Sequence, residues 1–317
     1  MQRILSSLIV VTALISTIAN ARAADFVSSA LAGLPSGTLR VEYSNAAKLR
    51  KLSNYDTLHQ RFLGPRLLQL ESALAQIGIK EDNIDELMIG WKPGDKEMDL
   101  YGYASGHFSK ADVDRQAAAR SFTPTPIAGE QAYCLQAGVT GTCVVVLENS
   151  LGAFGPLATL TSLLETHAGQ SPSLGSDERI APLVSDIRKD SPIWGIALGA
   201  AIGDWFSGWM SGQTVVKLDW SRVFEKVDSL AYTIDAADKA SLDMKLNCAT
   251  AEDAATLRQL LDGLKMAQQL AWQSQNPGRD NPYESMTVAA SDKQVGLQLT
   301  MAYTQLQLAS GIGATNK

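Results

Sequence analysis

Side chains equipped for chemistry are few and scattered in this sequence. Three histidines, His59, His107 and His167, are widely separated, and none sits at a paired metal-ligand spacing. There is no His-Glu-x-x-His helix, Gly-x-Ser-x-Gly elbow, Gly-x-x-x-x-Gly-Lys loop or Cys-x-x-Cys pair. Gly311-Ile312-Gly313 lacks the strand and helix that a dinucleotide loop requires. No metal and no cofactor is expected. The abundant acid–base groups are carboxylates, Asp85, Glu86 and Asp99 among them, and these would make the chain a periplasmic hydrolase. Carboxylates are equally ordinary surface residues, so binding competes with catalysis from the start.

Two segments carry the binding alternative. Over Asp99 to His107, strand alternation sets Asp99, Tyr101, Tyr103, Ser105 and His107 on one face and Leu100, Gly102, Ala104 and Gly106 on the other. The aromatic face could bind sugar or peptide through Tyr101, Tyr103 and His107, or it could pack beneath a helix. In the second segment Gly195, Gly199 and Gly203 are spaced by four, and Trp205, Phe206, Trp209 and Met210 share one side of a helix. One reading is a strand at Ile193 to Leu198, a small-residue loop and a short helix plugging the core. The other leaves Trp205, Phe206 and Trp209 exposed, anchoring the chain to an envelope protein or the membrane surface.

The elements that position these groups are clearest in the last third. Leu230, Tyr232 and Ile234 alternate with polar or small residues, as do Leu242, Met244, Leu246 and Cys248, which predicts a half-buried hairpin turning at Ala237 to Lys239. Thr250 caps a helix whose stripe of Leu257, Leu260, Leu261, Leu264, Ala267 and Leu270 carries it to about Trp272. A second hairpin follows, with Met286, Val288 and Ala290 opposite Val295, Leu297, Leu299 and Met301. Earlier the same order recurs: Leu87 to Trp91 and Met98 to Phe108 flank Pro93-Gly94-Asp95, and Ser109 opens a helix to about Arg120. Strands follow near Ala128 to Leu135 and Cys143 to Leu147, then helices at Leu157 to Leu164 and Asp177 to Arg188. Matching Ser109 to Thr250 sets Tyr101 over Leu242 and His107 over Cys248, on the face that packs under the helix. Thr38 to Tyr43 reads as a strand and Pro65 to Ile77 as a helix with proline at its first position.

The expected fold is α+β: two hairpin-helix-hairpin modules with antiparallel sheets covered by helices, spanning 24–212 and 213–317. Over about Asp25 to Ala197 the chain resembles a group of exported bacterial α+β proteins with no assigned activity. Ile77-Gly78-Ile79, Asp85-Glu86-Leu87, Ala153-Phe154-Gly155 and Pro192-Ile193-Trp194-Gly195 carry that resemblance. It implies export and fold, and it transfers no catalytic residue.

Export is also read directly. Arg3 precedes an uncharged, largely apolar run from Ile4 to Ile18, and Ala21-Arg22-Ala23 has the small-x-small form of a cleavage site. That run is shorter than the roughly 20 residues of a spanning helix. Of the 27 basic residues Arg3 and Arg22 lie in this leader, so cleavage after Ala23 leaves 25 against 33 acidic ones. Such an acidic balance argues against a nucleic-acid partner. In an oxidising compartment Cys134 and Cys143, on either side of a turn-rich stretch, are the pair expected to form a disulfide. Cys248 then falls on an apolar strand face as a buried thiol. The sequence as a whole predicts an exported, non-enzymatic protein that binds or assembles at the cell envelope, its oligomeric state open.

Overall fold

Among the described residues twelve strands form one antiparallel sheet. The computed structural model describes residues 26–56, 71–72, 74–94, 98–135, 141–148, 150–187, 190–210 and 219–305. The leader read at 1–23, most of the helix expected from Pro65, and the Gly311-Ile312-Gly313 tail lie outside these residues. The strands are β1 (Arg40–Ser44), β2 (Ile84–Pro93), β3 (Met98–Gly106), β4 (Thr125–Ile127), β5 (Glu130–Cys134), β6 (Thr142–Glu148), β7 (Leu151–Pro156), β8 (Ile193–Leu198), β9 (Val227–Ala236), β10 (Ala240–Cys248), β11 (Thr287–Ser291) and β12 (Gln294–Met301). The helices are α1 (26–33), α2 (Ala46–Leu49), α3 (Lys110–Ala119), α4 (Leu157–His167), α5 (Ile180–Asp186), α6 (Ala200–Met210), α7 (Trp220–Val223) and α8 (Ala251–Gln275). The fold is α+β.

Across the sheet the order is β11-β12-β10-β9-β8-β1-β2-β3-β7-β6-β5-β4. The strands of both expected modules therefore join edge to edge, with β1 and β8 paired in the middle. The hairpin expected to turn at Ala237 to Lys239 forms from β9 and β10, setting Leu242 opposite Ile234, Met244 opposite Tyr232 and Leu246 opposite Leu230. Both predicted caps form. Ser109 Oγ accepts from the Asp112 amide at 3.2 Å, and Thr250 Oγ1 accepts from that of Asp253 at 3.1 Å. Each satisfies an amide that the first turn leaves without a partner. Glu252 and Asp253 add negative charge at the positive end of α8.

Burial divides the sheet into a front face, carrying Arg40 and Glu42, and a back face, carrying Val41 and Tyr43. Two apolar cores lie on the front. One, under α6, α7 and α8, gathers Leu230, Met244, Leu246 and Val295. The other, under α3 and the 3₁₀ turn Ala75–Ile77, gathers Ile89, Trp91, Val144 and Phe154. On the back a single core under α1, α4 and α5 holds Tyr43, Met88, Tyr101, Tyr103, Trp194 and Ile196. Cys134 and Cys143 stand directly opposite each other in β5 and β6 and are joined by a disulfide. Closing so short a loop is worth about 2 to 3 kcal/mol. Cys248 is buried in the first front core, where burial, with the charges of Asp253 and Asp228, pushes its thiol pKa up.

Candidate functional site

The two front cores do not merge. Between them stand Arg40 and Glu42, on the central strand β1, each with a side chain about one-fifth exposed. Strand pairing puts Glu42 opposite Ile89 on one side and Gly195 on the other, with Tyr232 next beyond Gly195. The Tyr232 ring lies flat across Gly195, so close that a Cβ there would sit 2.6 Å from its hydroxyl oxygen. Only glycine leaves that path open, and it lets the hydroxyl donate to Glu42 Oε1. Trp205 of α6 stacks on Tyr232 with centroids 4.8 Å apart and donates from Nε1 to the same oxygen at 2.9 Å. Arg40 Nη2 supplies a third donor at 2.6 Å, and its guanidinium carbon lies 4.0 Å above the Trp91 ring of the other core. Burial, and then the charge of Glu42, keeps the Tyr232 hydroxyl protonated far above its usual range. The cluster thus pins both front cores to β1.

A second carboxylate lies on the back. Tyr43 donates to Glu86 Oε1 at 2.5 Å, Ser105 donates to Oε2 at 3.4 Å, and Asn45 Nδ2 donates to the Tyr43 hydroxyl at 3.2 Å. Tyr43 is stacked on Trp194 at 5.3 Å. Burial raises the Glu86 pKa above the usual carboxylate value, and the bonds from Tyr43 and Ser105 oppose that rise. Its neighbour Asp85 turns instead to His107 Nε2 at 3.2 Å and Arg50 Nη2 at 3.7 Å. Asp99 accepts from Thr159 of α4 at 2.8 Å. Ser105, which holds Glu86, lies six residues along β3 from Asp99, about 20 Å of strand. Two carboxyls that flank one glycosidic bond stand within about 10 Å. Glu86 and Asp99 therefore belong to different surroundings and cannot share a substrate atom.

Tyr101 and Tyr103 are almost wholly buried. The Tyr101 hydroxyl shares a 2.5 Å hydrogen bond with Thr38, and the Tyr103 hydroxyl donates toward the carbonyls of Gly33 in α1 and Leu163 in α4, at 3.1 and 3.3 Å. They are posts between sheet and helices, inaccessible to a sugar or peptide. Matching Ser109 to Thr250 misassigned their face. Leu100 and Ala104 lie toward α3 in the front, as Leu242 and Met244 lie toward α8, whereas the tyrosines point to the back. Both faces of β3 are covered, so burial follows from either register. His107 lies beyond the end of β3 and is largely exposed beside Asp85.

Trp205 and Phe206 correct the expectation of an exposed aromatic anchor, being only 6% and 5% exposed. Phe206 stacks on Phe224 with centroids 4.0 Å apart and on Trp220 at 5.7 Å. The strand Ile193–Leu198 followed by a core-plugging helix is what forms. Trp209 lies in the last turn of α6, and its side chain is outside the described residues. Sequence reading placed Arg40, Glu42 and Tyr232 on strands but named none of them as a site residue. Its one signal was Arg40-Val41-Glu42-Tyr43, charges alternating with apolar residues in a strand, a pattern equally typical of a solvated face.

Among the described residues no group of three or more histidine, cysteine or carboxylate side chains is placed to hold a metal ion. None of their helices is long and apolar enough to cross a membrane. No family model matches this chain, and no curated protein does. It is similar in structure to TP0453. In crystal form III of that protein the TM-score is 0.54 at 11% identity, over 89% of this chain and 96% of the other. In crystal form I it is 0.52 at 10% identity, over 89% and 95%. The likeness is one of fold.

Proposed function

We propose that this chain is exported and acts by binding or assembly at the cell envelope, with a protein as its partner, and not by catalysis. The observation that carries the reading is where apolar side chains reach solvent. Leu157, Leu260, Met266 and Leu270 are the exposed large hydrophobics among the described residues, and three of the four lie on α8. Beside them β11 closes one end of the sheet as an edge strand. Another strand can match such an edge with backbone hydrogen bonds, whereas lipid offers none, which favours protein over membrane surface. The polar groups of the interior point the same way: Glu42, Glu86 and the buried tyrosines are engaged with one another or with backbone. The cross-strand disulfide suits an oxidising compartment, in keeping with an export signal cut after Ala23.

We also read the sheet as two related halves. A hairpin (β2-β3 or β9-β10) is followed by a front-face helix (α3 or α8). A second hairpin then sets its last strand beside the first hairpin, giving β2-β3-β7-β6 and β9-β10-β12-β11. On this reading β4 and β5 are an addition to the first half.

The test is a photo-crosslinking residue at Leu270 of the full chain, expressed with its leader and irradiated in the cell envelope. The same residue at Asp243, on the bare back face, is the comparison. Adducts to protein from 270 and few from 243 are expected; no adducts from 270 would overturn the binding reading.

A further inference from the structure

Among the described residues the two edges of the sheet are built differently, and only one is closed to further strands. At the far edge β4 has three residues with Pro126 in the middle, which has no amide to donate. At the near edge β11 reads Thr287-Val288-Ala289-Ala290-Ser291, with neither proline nor charge. Four of its five residues are exposed, and Val288 alone is half-buried. Natural edge strands are usually blunted by lysine, proline, a bulge or a covering element. This one pairs with β12 through all five residues in unbroken register, and no bulge disturbs it.

We infer that the β11 edge is a self-association site at which two copies of this chain pair β11 with β11, antiparallel, about a two-fold axis through Ala289. The inference rests on the binding reading above and names its partner. Such pairing sets Thr287 against Ser291, Val288 against Ala290, and Ala289 against itself. No like charges meet, no bulky side chain blocks the approach, and threonine opposite serine is a favourable cross-strand pair. The same axis carries Lys293, in the turn after β11, toward Glu284 of the other copy, in the 3₁₀ turn Pro282–Ser285 before it. Asp292 shares that turn with Lys293, so each end of the joint carries both signs of charge.

Helix α8 belongs to the same end of the molecule. Lys265 Nζ donates to the Met286 carbonyl and Gln269 Nε2 to that of Tyr283 at 3.2 Å, so the second half of α8 is tied to the segment that leads into β11. A two-fold axis perpendicular to the sheet keeps front face on front face and brings both α8 helices to the same side of the joint. Met266 and Leu270, 63% and 66% exposed, lie on the half of α8 nearest it. Because proline blocks the β4 edge, growth stops at two copies; an isologous contact of this kind closes and does not propagate.

The purified full chain should sediment as a dimer at concentrations up to about 100 µM, and Ala289→Lys should weaken association at least about tenfold. Ala289 is exposed and its backbone pairing with Gly296 is unchanged by lysine, so the variant should retain the far-UV spectrum and thermal midpoint of the parent. In a second measurement Ala289→Cys should form a disulfide-linked dimer on mild oxidation, whereas Thr125→Cys, on the blocked edge, should not. A parent that stays monomeric over the whole range, or equal linking at 125 and 289, overturns the inference. Adducts from position 270 to other proteins alone would then leave the binding reading standing; no adducts at all would remove both.

Discussion

The back face of one sheet is built in two ways. From β9 across to β5 it is covered by α1, α4 and α5, and some of the strands beneath are buried on both sides: β8 at every residue and β6 at five of seven. From β10 to β11 no described helix covers it, and Asp186 at the end of α5 reaches Lys245 at its border, at 3.6 Å. There β10 alternates strictly between buried and half-buried, with Ser241, Asp243, Lys245 and Asn247 outward. Those outward groups pair across strands: Ser241 with Thr300 at 3.0 Å, Gln298 with Asp243 at 3.2 Å, and Gln294 with Asn247 at 3.0 Å. The covered part gains stability from two layers of burial and forgoes any surface. The bare part is held by one layer and leaves, among the described residues, one edge with no strand beside it.

Removing the covered layer's largest side chain should have the largest effect. Trp194 is fully buried, stacked on Tyr43, and Trp194→Ala should cost about 3 to 5 kcal/mol in a urea titration. On the same face of the bare part Asp243→Ala should change stability by less than about 0.5 kcal/mol. Equal costs would mean that the two parts are not built differently. The glycines make a sharper version of the same contrast. A methyl group at Gly195 would drive the Tyr232 ring away from Glu42, so Gly195→Ala should cost about 1 to 3 kcal/mol. At Gly296 in β12 the nearest atom to an added Cβ, the Ala289 carbonyl oxygen, is 4.0 Å away. Gly296→Ala should therefore be neutral, or stabilising by up to about 1 kcal/mol.

The bare part was also the legible part. Period-two alternation needs one wet face, so β10, β12 and the capped α8 follow from spacing alone, whereas the disulfide, in the covered part, was legible from the turn-rich stretch between Cys134 and Cys143. Where both faces are covered, alternation disappears and with it the signal for which way a side chain points. That is why Tyr101 and Tyr103, which do pack beneath helices as one reading had it, were assigned to the wrong face of the sheet. Glu42 was illegible for a different reason. Its partners are distant in sequence: Tyr232 reaches it across Gly195 in the sheet, and Trp205 from α6, stacked on Tyr232. Nothing local in the chain marks β11 as an edge either, since edge position is a property of strand order.

The smallest expected effect is one of pH, and it tests whether the covered layer excludes water. Burial raises the Glu86 pKa above its ordinary 4.5, so the folded state holds the proton over a range in which the unfolded chain has already lost it. Where the folded state binds more protons, stability falls as pH rises. The contribution of Glu86 should therefore be full below about pH 4.5 and lost as pH rises through the folded-state value, leaving the protein less stable at neutral pH. The effect is small because the hydrogen bonds from Tyr43 and Ser105 favour the charged form and offset part of the desolvation. Glu86→Gln keeps an acceptor for Tyr43 and removes the titration, so its urea midpoint should lose this downward slope relative to the parent between pH 4 and 7. An unchanged slope would mean that water reaches Glu86 and that the back face is less sealed than its packing implies.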